Sequence, residues 1–269
     1  MNYGLIGAAG YVAKKHAQAI KDTGGTLVAA CDITENVGWL DSFNLDCEFT
    51  KDFNELVANP KVETVVIATP NYLHHRMARA ALLSGKDVIL EKPACLDLSQ
   101  LDDLQEIERE TCKQVSLLMQ MFYNPDLMGI KISHHTGASL DYVTPRGPGY
   151  DQTWKADDAL SGGMEFNLGI HLLGVLCKLF GRVLYAECES RSAYHSEGML
   201  HFSRDRNCAR FSLKRYSDLE PLRRLTIYGN SLVPVKIDMS KGFLTNHTLV
   251  YREILKGNRV TLEASREAI

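Results

Sequence analysis

Near its start the chain carries a pattern that could hold a dinucleotide. Gly7-Ala8-Ala9-Gly10-Tyr11-Val12-Ala13 is spaced G-x-x-G-x-x-A, one residue longer than G-x-G-x-x-G. Between a strand and a helix, such glycines let backbone N–H groups approach a pyrophosphate at the helix N-terminus. Glycines also close strand-to-helix turns that bind nothing. Asp32 follows Gly10 at about the 20-residue spacing of a ribose-binding acid. Its carboxylate would accept hydrogen bonds from an adenosine ribose and repel a 2′-phosphate, which favours NAD over NADP. A helix cap or turn would use the same residue. Both features in one βαβ unit predict an NAD site made of Gly7, Ala9, Gly10, Tyr11, Val12 and Asp32. Ala68, Thr69, Pro70 and Asn71 follow the third strand, and carboxyl ends of parallel strands form the ligand crevice of such folds. His74 opens the next helix, where a surface role would suit it as well as a place in that site.

Two further groups suit proton and hydride chemistry. Glu91-Lys92-Pro93 ends the fourth strand. A lysine there can hydrogen-bond a substrate hydroxyl and stabilise developing alkoxide charge. Pro93 would fix the turn, Glu91 would supply a neighbouring charge, and Glu91, Lys92 and Pro93 together are expected to border the NAD site at the crevice edge. From physics alone, a solvated lysine fits this turn equally well. In Gly162-Gly163-Met164-Glu165-Phe166-Asn167-Leu168-Gly169-Ile170-His171, Asn167 and His171 are four apart and share one face of a helix. A histidine can take a hydroxyl proton as hydride leaves the same carbon. Asn167 can orient the substrate or the imidazole. The competing reading is a histidine satisfied inside a helix interface.

Strand and helix patterns must position these groups. Apolar runs at 3–6, 27–31, 62–68 (rich in β-branched residues), 88–90 and 115–119 alternate with helical patterns at 12–23, 53–58, 75–84 and 98–111. That alternation predicts a parallel, doubly wound α/β Rossmann sheet. After Tyr123-Asn124-Pro125 the chain reads as irregular as far as Gly162. A helix at 167–180 and strands at 184–189, 199–202, 209–213, 225–228 and 233–237 then predict an α+β domain with a mostly antiparallel open sheet. A hairpin turn is expected at 204–207. Helices at 249–255 and from Leu262 end the chain, the last reading as cut short at Ile269. The domains are expected at 1–120, for NAD, and 121–269, for substrate and oligomerisation, with the last helix able to pack back on the first.

The chain is 45% hydrophobic and 23% charged, with a net charge of −3. Such a composition suits a globular fold, and no basic face for nucleic acid stands out. No apolar run reaches the roughly 20 residues of a membrane span, and the first strand starts too early for a signal peptide. Seven scattered cysteines without a C-x-x-C pattern suit reduced thiols in a cytoplasmic enzyme. No metal is expected, because ligands do not cluster at zinc spacings.

In this order, the glycine loop, Asp32, Glu91-Lys92-Pro93 and the Gly-Gly…Gly-Ile-His run resemble the Gfo/Idh/MocA (glucose-fructose oxidoreductase/inositol dehydrogenase) family over nearly the whole chain. The resemblance implies a Rossmann domain followed by an open-sheet domain often used in homo-oligomers. It also implies that Lys92 and His171 are the central catalytic positions. Thr69–His74, Thr144-Pro145-Arg146-Gly147, Trp154-Lys155, Asn167-x-Gly169-x-His171 and His247-Thr248…Tyr251-x-Glu253-Ile254-Leu255-x-Gly257-Asn258 are similar to a bacterial subgroup. That subgroup oxidises the C3 hydroxyl of UDP-N-acetylglucosaminuronic acid with NAD in surface-polysaccharide (lipopolysaccharide O-antigen) synthesis. Some members reoxidise bound NADH with 2-oxoglutarate. Most of the wider family has Asp where Asn167 stands, and the subgroup has Asn. The chain departs from the subgroup at Gln120-Met121-Phe122-Tyr123-Asn124-Pro125, where Gln-x-Arg-x-His-Pro is usual, and in a shorter segment at 126–140. Both changes bear on the substrate.

Arg146 and Lys155 fit a substrate with a carboxylate and a diphosphate, and Tyr150 or Trp154 could stack on a base or sugar. Ordinary surface charge and core aromatics would look the same. The expected substrate site is Arg146, Tyr150, Trp154, Lys155, Asn167 and His171. In the expected mechanism the hydroxyl lies between Lys92 and His171. His171 takes its proton, Lys92 stabilises the alkoxide, and hydride passes to the nicotinamide. Two rivals stand beside it: a dehydrogenase of a free sugar or inositol-like cyclitol, and an NAD-binding sensor without turnover.

Overall fold

The computed structural model describes every residue except 36, 43–46, 134–135, 205, 230–232, 241–246 and 269. The chain divides into two compact units. Met1–Met119 and Thr245–Arg266 form the first, and Gln120–Leu244 with Glu267–Ile269 the second.

In the first unit, six strands alternate with helices: β1 (Asn2–Ile6), α1 (Ala13–Asp22), β2 (Thr26–Cys31), α2 (Trp39–Ser42), β3 (Glu48–Thr50), α3 (Phe53–Ala58), β4 (Thr64–Ile67), α4 (His74–Leu83), β5 (Asp87–Leu90), α5 (Leu98–Thr111) and β6 (Val115–Leu117). The sheet order is β3-β2-β1-β4-β5-β6, and every pairing is parallel. Parallel sheets are covered on both faces, so their strands read as apolar runs; β4 is buried throughout. The chain order reverses at β1, between β2 and β4. Such a switch point opens a ligand crevice at the carboxyl ends of the strands. Helices are set by local signals. In α1, Ala13, His16, Ala17, Ala19 and Ile20 are buried at helical spacing. Asp52 and Asp97 cap α3 and α5 by accepting from the N–H groups of Asn54 and Gln100. The sequence pattern missed β3, an edge strand of three residues, none of them buried.

Two helices from the end of the chain belong to this unit, α8 (His247–Leu255) and α9 (Leu262–Ser265), although the sequence division at 120 let only the last one return. Tyr251 of α8 is fully buried, 6.0 Å from the Tyr3 ring. The carbonyl of Val260 accepts from the Leu117 N–H at 2.9 Å, and Arg266 meets Asp102 of α5 at 2.5 Å.

The second unit is built on β7 (Gly137–Val143), α6 (Asp158–Ser161), α7 (Ile170–Phe180), β8 (Val183–Arg191), β9 (His195–Phe202), β10 (Cys208–Lys214), β11 (Leu222–Tyr228) and β12 (Val235–Asp238). Its order is β12-β11-β7-β10-β9-β8. The sheet is mostly antiparallel, as expected, with one parallel pair, β7 with β10. The expectation of irregular chain before Gly162 is corrected here. β7 lies inside the sheet, with Ala138, Leu140 and Tyr142 inward and Ser139 and Asp141 half-exposed. The period-2 signal was present but stood among Gly, Pro and His. Leu172, Val175, Leu176 and Phe180 of α7 are buried, and Phe180 stacks on Phe202 at 5.2 Å. Gly169 lets the chain come close to β10, since a Cβ there would lie 2.6 Å from Leu213 Cδ1. Leu184 and Tyr185 on the edge strand β8 are exposed.

The expected turn at 204–207 includes residue 205, the expected strand at 233–237 is β12 shifted to Val235–Asp238, and the expected end at 269 lies outside the described residues. Asp158–Phe180 is long and apolar enough to cross a membrane by length and composition, against the sequence reading, but 78% of its apolar window is buried inside the fold.

Candidate functional site

The cofactor half is built on the carboxyl ends of β1, β2, β4 and β5. Gly7 has φ +90°, a conformation that a side chain strains, and a Cβ there would stand 2.6 Å from the Ala68 carbonyl oxygen. Glycine is what lets the β1 turn cross the end of β4. The turn is tied by Gly10 N–H to Gly7 O at 2.9 Å and Ala13 N–H to Gly10 O at 3.2 Å. Tyr11 and Val12 lead into α1, whose first amides lack intrahelical acceptors. Tyr11 is 82% exposed there. Asp32 faces this turn. Its carboxylate accepts from the N–H groups of Ala9 at 2.9 Å and Thr34 at 3.1 Å. Trp39, which sequence reasoning passed over, donates its indole N–H to the Ala8 carbonyl at 2.9 Å. With Ala9, Gly10, Tyr11, Lys14 and Gly38 it lines a cavity of about 560 Å³. A glycine-only turn, a helix N-terminus, a carboxylate and a cavity beside them fit the pyrophosphate and ribose of NAD.

Thr69 and Pro70 follow β4, and Asn71 behind them is buried. His74 is not a surface residue. It is fully buried, with its ring nitrogens 2.6 Å from the Pro93 carbonyl and 2.9 Å from that of Thr69. It therefore joins the two turns that carry Thr69 and Lys92. Burial lowers its pKa against the opposing pull of those hydrogen bonds. Glu91 was expected to face the cofactor as a neighbouring charge. Instead its carboxylate is buried beside His16 and His247. Lys92 and Pro93 form the turn beyond it, joined by a cis peptide bond. The sequence reading found no clustered metal ligands. The fold brings His16, Glu91 and His247 together although they are distant in sequence.

The second unit carries the other candidates. Asn167 lies in a π-helical turn, Glu165–Gly169, and His171 lies in the first turn of α7. The expected single α-helix thus starts three residues late, after a wide turn of a kind often found at functional sites. Both residues are buried. Asn167 Nδ2 donates to the Tyr150 hydroxyl at 2.5 Å. Burial raises the pKa of that hydroxyl, so Tyr150 keeps its proton. The Arg146 guanidinium lies 5.8 Å from the Tyr150 ring, and the Lys155 ammonium 5.9 Å from the Trp154 ring. Desolvation, with Arg146 close by, lowers the pKa of Lys155.

Sequence reasoning missed Arg215. It is buried between the rings of Tyr150 and Tyr194, 4.9 and 4.6 Å from their centres, and pairs with Asp151 at 2.7 Å. It therefore braces the loop that carries Tyr150. No spacing marks it, because its partners come from distant segments.

Residues 1–119 match a family model described as an oxidoreductase family, NAD-binding Rossmann fold, GFO_IDH_MocA. Among solved structures, the WlbA (WbpB) dehydrogenase of Thermus thermophilus is 32% identical, with all of this chain and 92% of that one covered. Its complex with NAD and alpha-ketoglutarate superposes with a TM-score of 0.90, and its complex with NAD and UDP-GlcNAcA with 0.89. An uncharacterized oxidoreductase of Synechocystis is 31% identical over 145 residues, 48% of this chain and 38% of that protein. The scyllo-inositol 2-dehydrogenase (NADP(+)) IolW of Bacillus subtilis is 25% identical over 142 residues, 51% of this chain and 40% of that protein. The chain thus matches less than half the length of these two curated relatives.

Proposed function

The chain belongs to the Gfo/Idh/MocA family of oxidoreductases, and from that premise we propose that it uses NAD to oxidise a hydroxyl of an anionic nucleotide sugar, the C3 hydroxyl of UDP-N-acetylglucosaminuronic acid. The observation that carries the substrate class is the pairing of Arg146 with Lys155. Each cation lies over an aromatic ring of one loop segment, Arg146 at Tyr150 and Lys155 at Trp154, and burial together with Arg146 disfavours the charge on Lys155 until an anion arrives; this sugar offers a carboxylate and a diphosphate. The Thermus dehydrogenase crystallised with UDP-GlcNAcA supports the same class.

NAD, when bound, supplies the hydride acceptor. The chain supplies the rest. Asp32 and the glycine turn hold the ribose and pyrophosphate, together with Ala68, Thr69, Pro70 and Asn71. Lys92 stabilises the developing alkoxide as a hydrogen-bond donor. His171 takes the hydroxyl proton, and Asn167, held by the Tyr150 hydroxyl, fixes the sugar. Tyr150 and Trp154 offer faces to base or sugar. The Thermus enzyme was also crystallised with alpha-ketoglutarate, which makes a 2-keto acid the proposed oxidant of NADH. The exposed edge strand β8 suits association of copies.

A second reading is a neutral cyclitol, favoured by the scyllo-inositol relative but leaving the cation pair unused. The test is reduction of NAD, followed at its reduced absorbance band, with UDP-N-acetylglucosaminuronic acid, UDP-N-acetylglucosamine and myo-inositol. Reduction with the first alone supports the proposal. Reduction with myo-inositol alone replaces it with the second reading, and NAD binding without reduction by any of the three sinks both.

A further inference from the structure

A buried cluster of titratable groups in the first unit is joined to the Lys92 backbone. Glu91 Oε1 is 3.2 Å from His16 Nε2 and 3.6 Å from His247 Nε2. His16 Nδ1 is 2.9 Å from the Tyr251 hydroxyl. The other carboxylate oxygen, Oε2, accepts from the Lys92 backbone N–H at 3.3 Å. All four side chains are buried, and they come from α1, the end of β5 and α8.

A single assignment of protons satisfies these contacts. Burial drives the pKa of Tyr251 well up, so its hydroxyl keeps its proton and donates to His16 Nδ1. Burial lowers the pKa of His16 against the pull of Glu91, so the ring is neutral and its one N–H, on Nε2, points to the carboxylate. Burial would raise the pKa of Glu91, but its contacts with His16 and His247 outweigh that and hold it well below the carboxylate range. A buried carboxylate is costly unless partnered. Here its partners are a helix that starts at the cofactor turn, a helix from the far end of the chain, and the backbone of Lys92.

We propose that His16, Glu91 and His247 are positioning residues for Lys92: the clamped carboxylate fixes the Lys92 turn against α1 and α8. This rests on the reading of Lys92 as the residue that meets the substrate hydroxyl. Misplacing a catalytic group by about 1 Å can cost on the order of 100-fold in rate. The clamp therefore acts on turnover and leaves NAD binding alone.

The test compares His16→Leu and His247→Leu, which keep bulk and lose the donor, with His16→Gln, which restores a donor near Nε2. NADH affinity is read by fluorescence titration, and kcat and KM with UDP-N-acetylglucosaminuronic acid. The Lys92 signal is read by NMR of ¹³C-methylated lysines, assigned with Lys92→Arg. In the leucine variants we expect NADH affinity and KM within about twofold of the native chain, kcat down by about tenfold or more, and a displaced Lys92 signal. His16→Gln recovers both kcat and the signal. Native kcat and an unmoved Lys92 signal in the leucine variants would overturn the clamp. If those variants do not fold, Glu91→Gln, which is isosteric, is read in the same way.

Lys92→Met separates the two claims. Full turnover in that variant ends the reading of Lys92, whereas its loss beside native-like clamp variants ends only the clamp. If the native chain turns over no sugar tested, the NMR signal decides alone. The three ligand atoms also lie within 4.8 Å of one another, close enough to share a cation. One equivalent of metal in the native chain, absent from His247→Leu, would overturn the hydrogen-bonded clamp.

Discussion

A buried histidine can be a base or a packing residue, and its neighbours separate the two. His171 follows a π-helical turn whose Asn167 is held by the Tyr150 hydroxyl, so the polar groups there are arranged rather than merely tolerated. His171→Gln should keep the fold, since glutamine also offers a polar group. It should lower turnover by about 100-fold if the imidazole takes the proton. Stopped-flow reduction of NAD checks this, and native turnover would end the assignment. Candidates of this kind could be named from the sequence because they sit in short motifs: Lys92 within Glu91-Lys92-Pro93, and His171 four residues after Asn167. Arg215, His16 and Trp39 were not legible, because each takes its meaning from partners far away in the chain. Glu91 was legible as a charge but not in its direction, since a turn residue can face outward or into the core with the same sequence.

At the scale of elements, the His16–Glu91 contact joins α1 to β5, and its energetics follow pH. The unfolded imidazole titrates near the ordinary histidine value of about 6.5, while burial keeps the folded one lower. Below about pH 6.5 the unfolded chain binds the proton first, so this contribution is complete above that value and is lost as pH falls. Glu91 is held well below the ordinary glutamate range by His16 and His247, and its contribution is lost further down, as pH falls through the folded value. Both losses lie on the acid side. The unfolding temperature should be flat at about pH 7–8 and decline below about 6.5. His16→Gln should reduce the first part of that decline, the remainder coming from His74, whose pKa burial also lowers, and calorimetry across pH checks it. A variant with an unchanged profile would place the acid sensitivity elsewhere. Elements were legible where composition and period agreed, as in the buried run of β4. They were hidden where a strand was three residues long with none buried, as in β3, or stood among turn formers, as in β7.

At the scale of the molecule, the second unit is inserted into the first, since the chain leaves the first unit at Met119 and returns to it at Thr245. The sequence could not reveal the return of both helices. An amphipathic helix shows that it has a buried face but not which sheet or helix covers it. Ending the chain after Leu244 would remove Tyr251 from Tyr3 and leave the Glu91 carboxylate short of His247. Removing one partner of a buried charge costs about 3–5 kcal/mol, and an aromatic cavity adds a similar amount. The shortened chain should lose cooperative melting of its NAD-binding unit and bind NADH weakly. Circular dichroism melts and fluorescence titration against the full chain check this, and a native-like melt would show that α8 and α9 are dispensable. The same return sets an order of events during protein synthesis. Although its first strand is made early, the NAD-binding unit waits for α8 and α9 from near the end of the chain. At 5–20 residues per second it waits roughly 6–26 s for the segment that covers His16, and through that interval the growing polypeptide exposes the face of α1 that α8 later covers to whatever chaperones attend the ribosome.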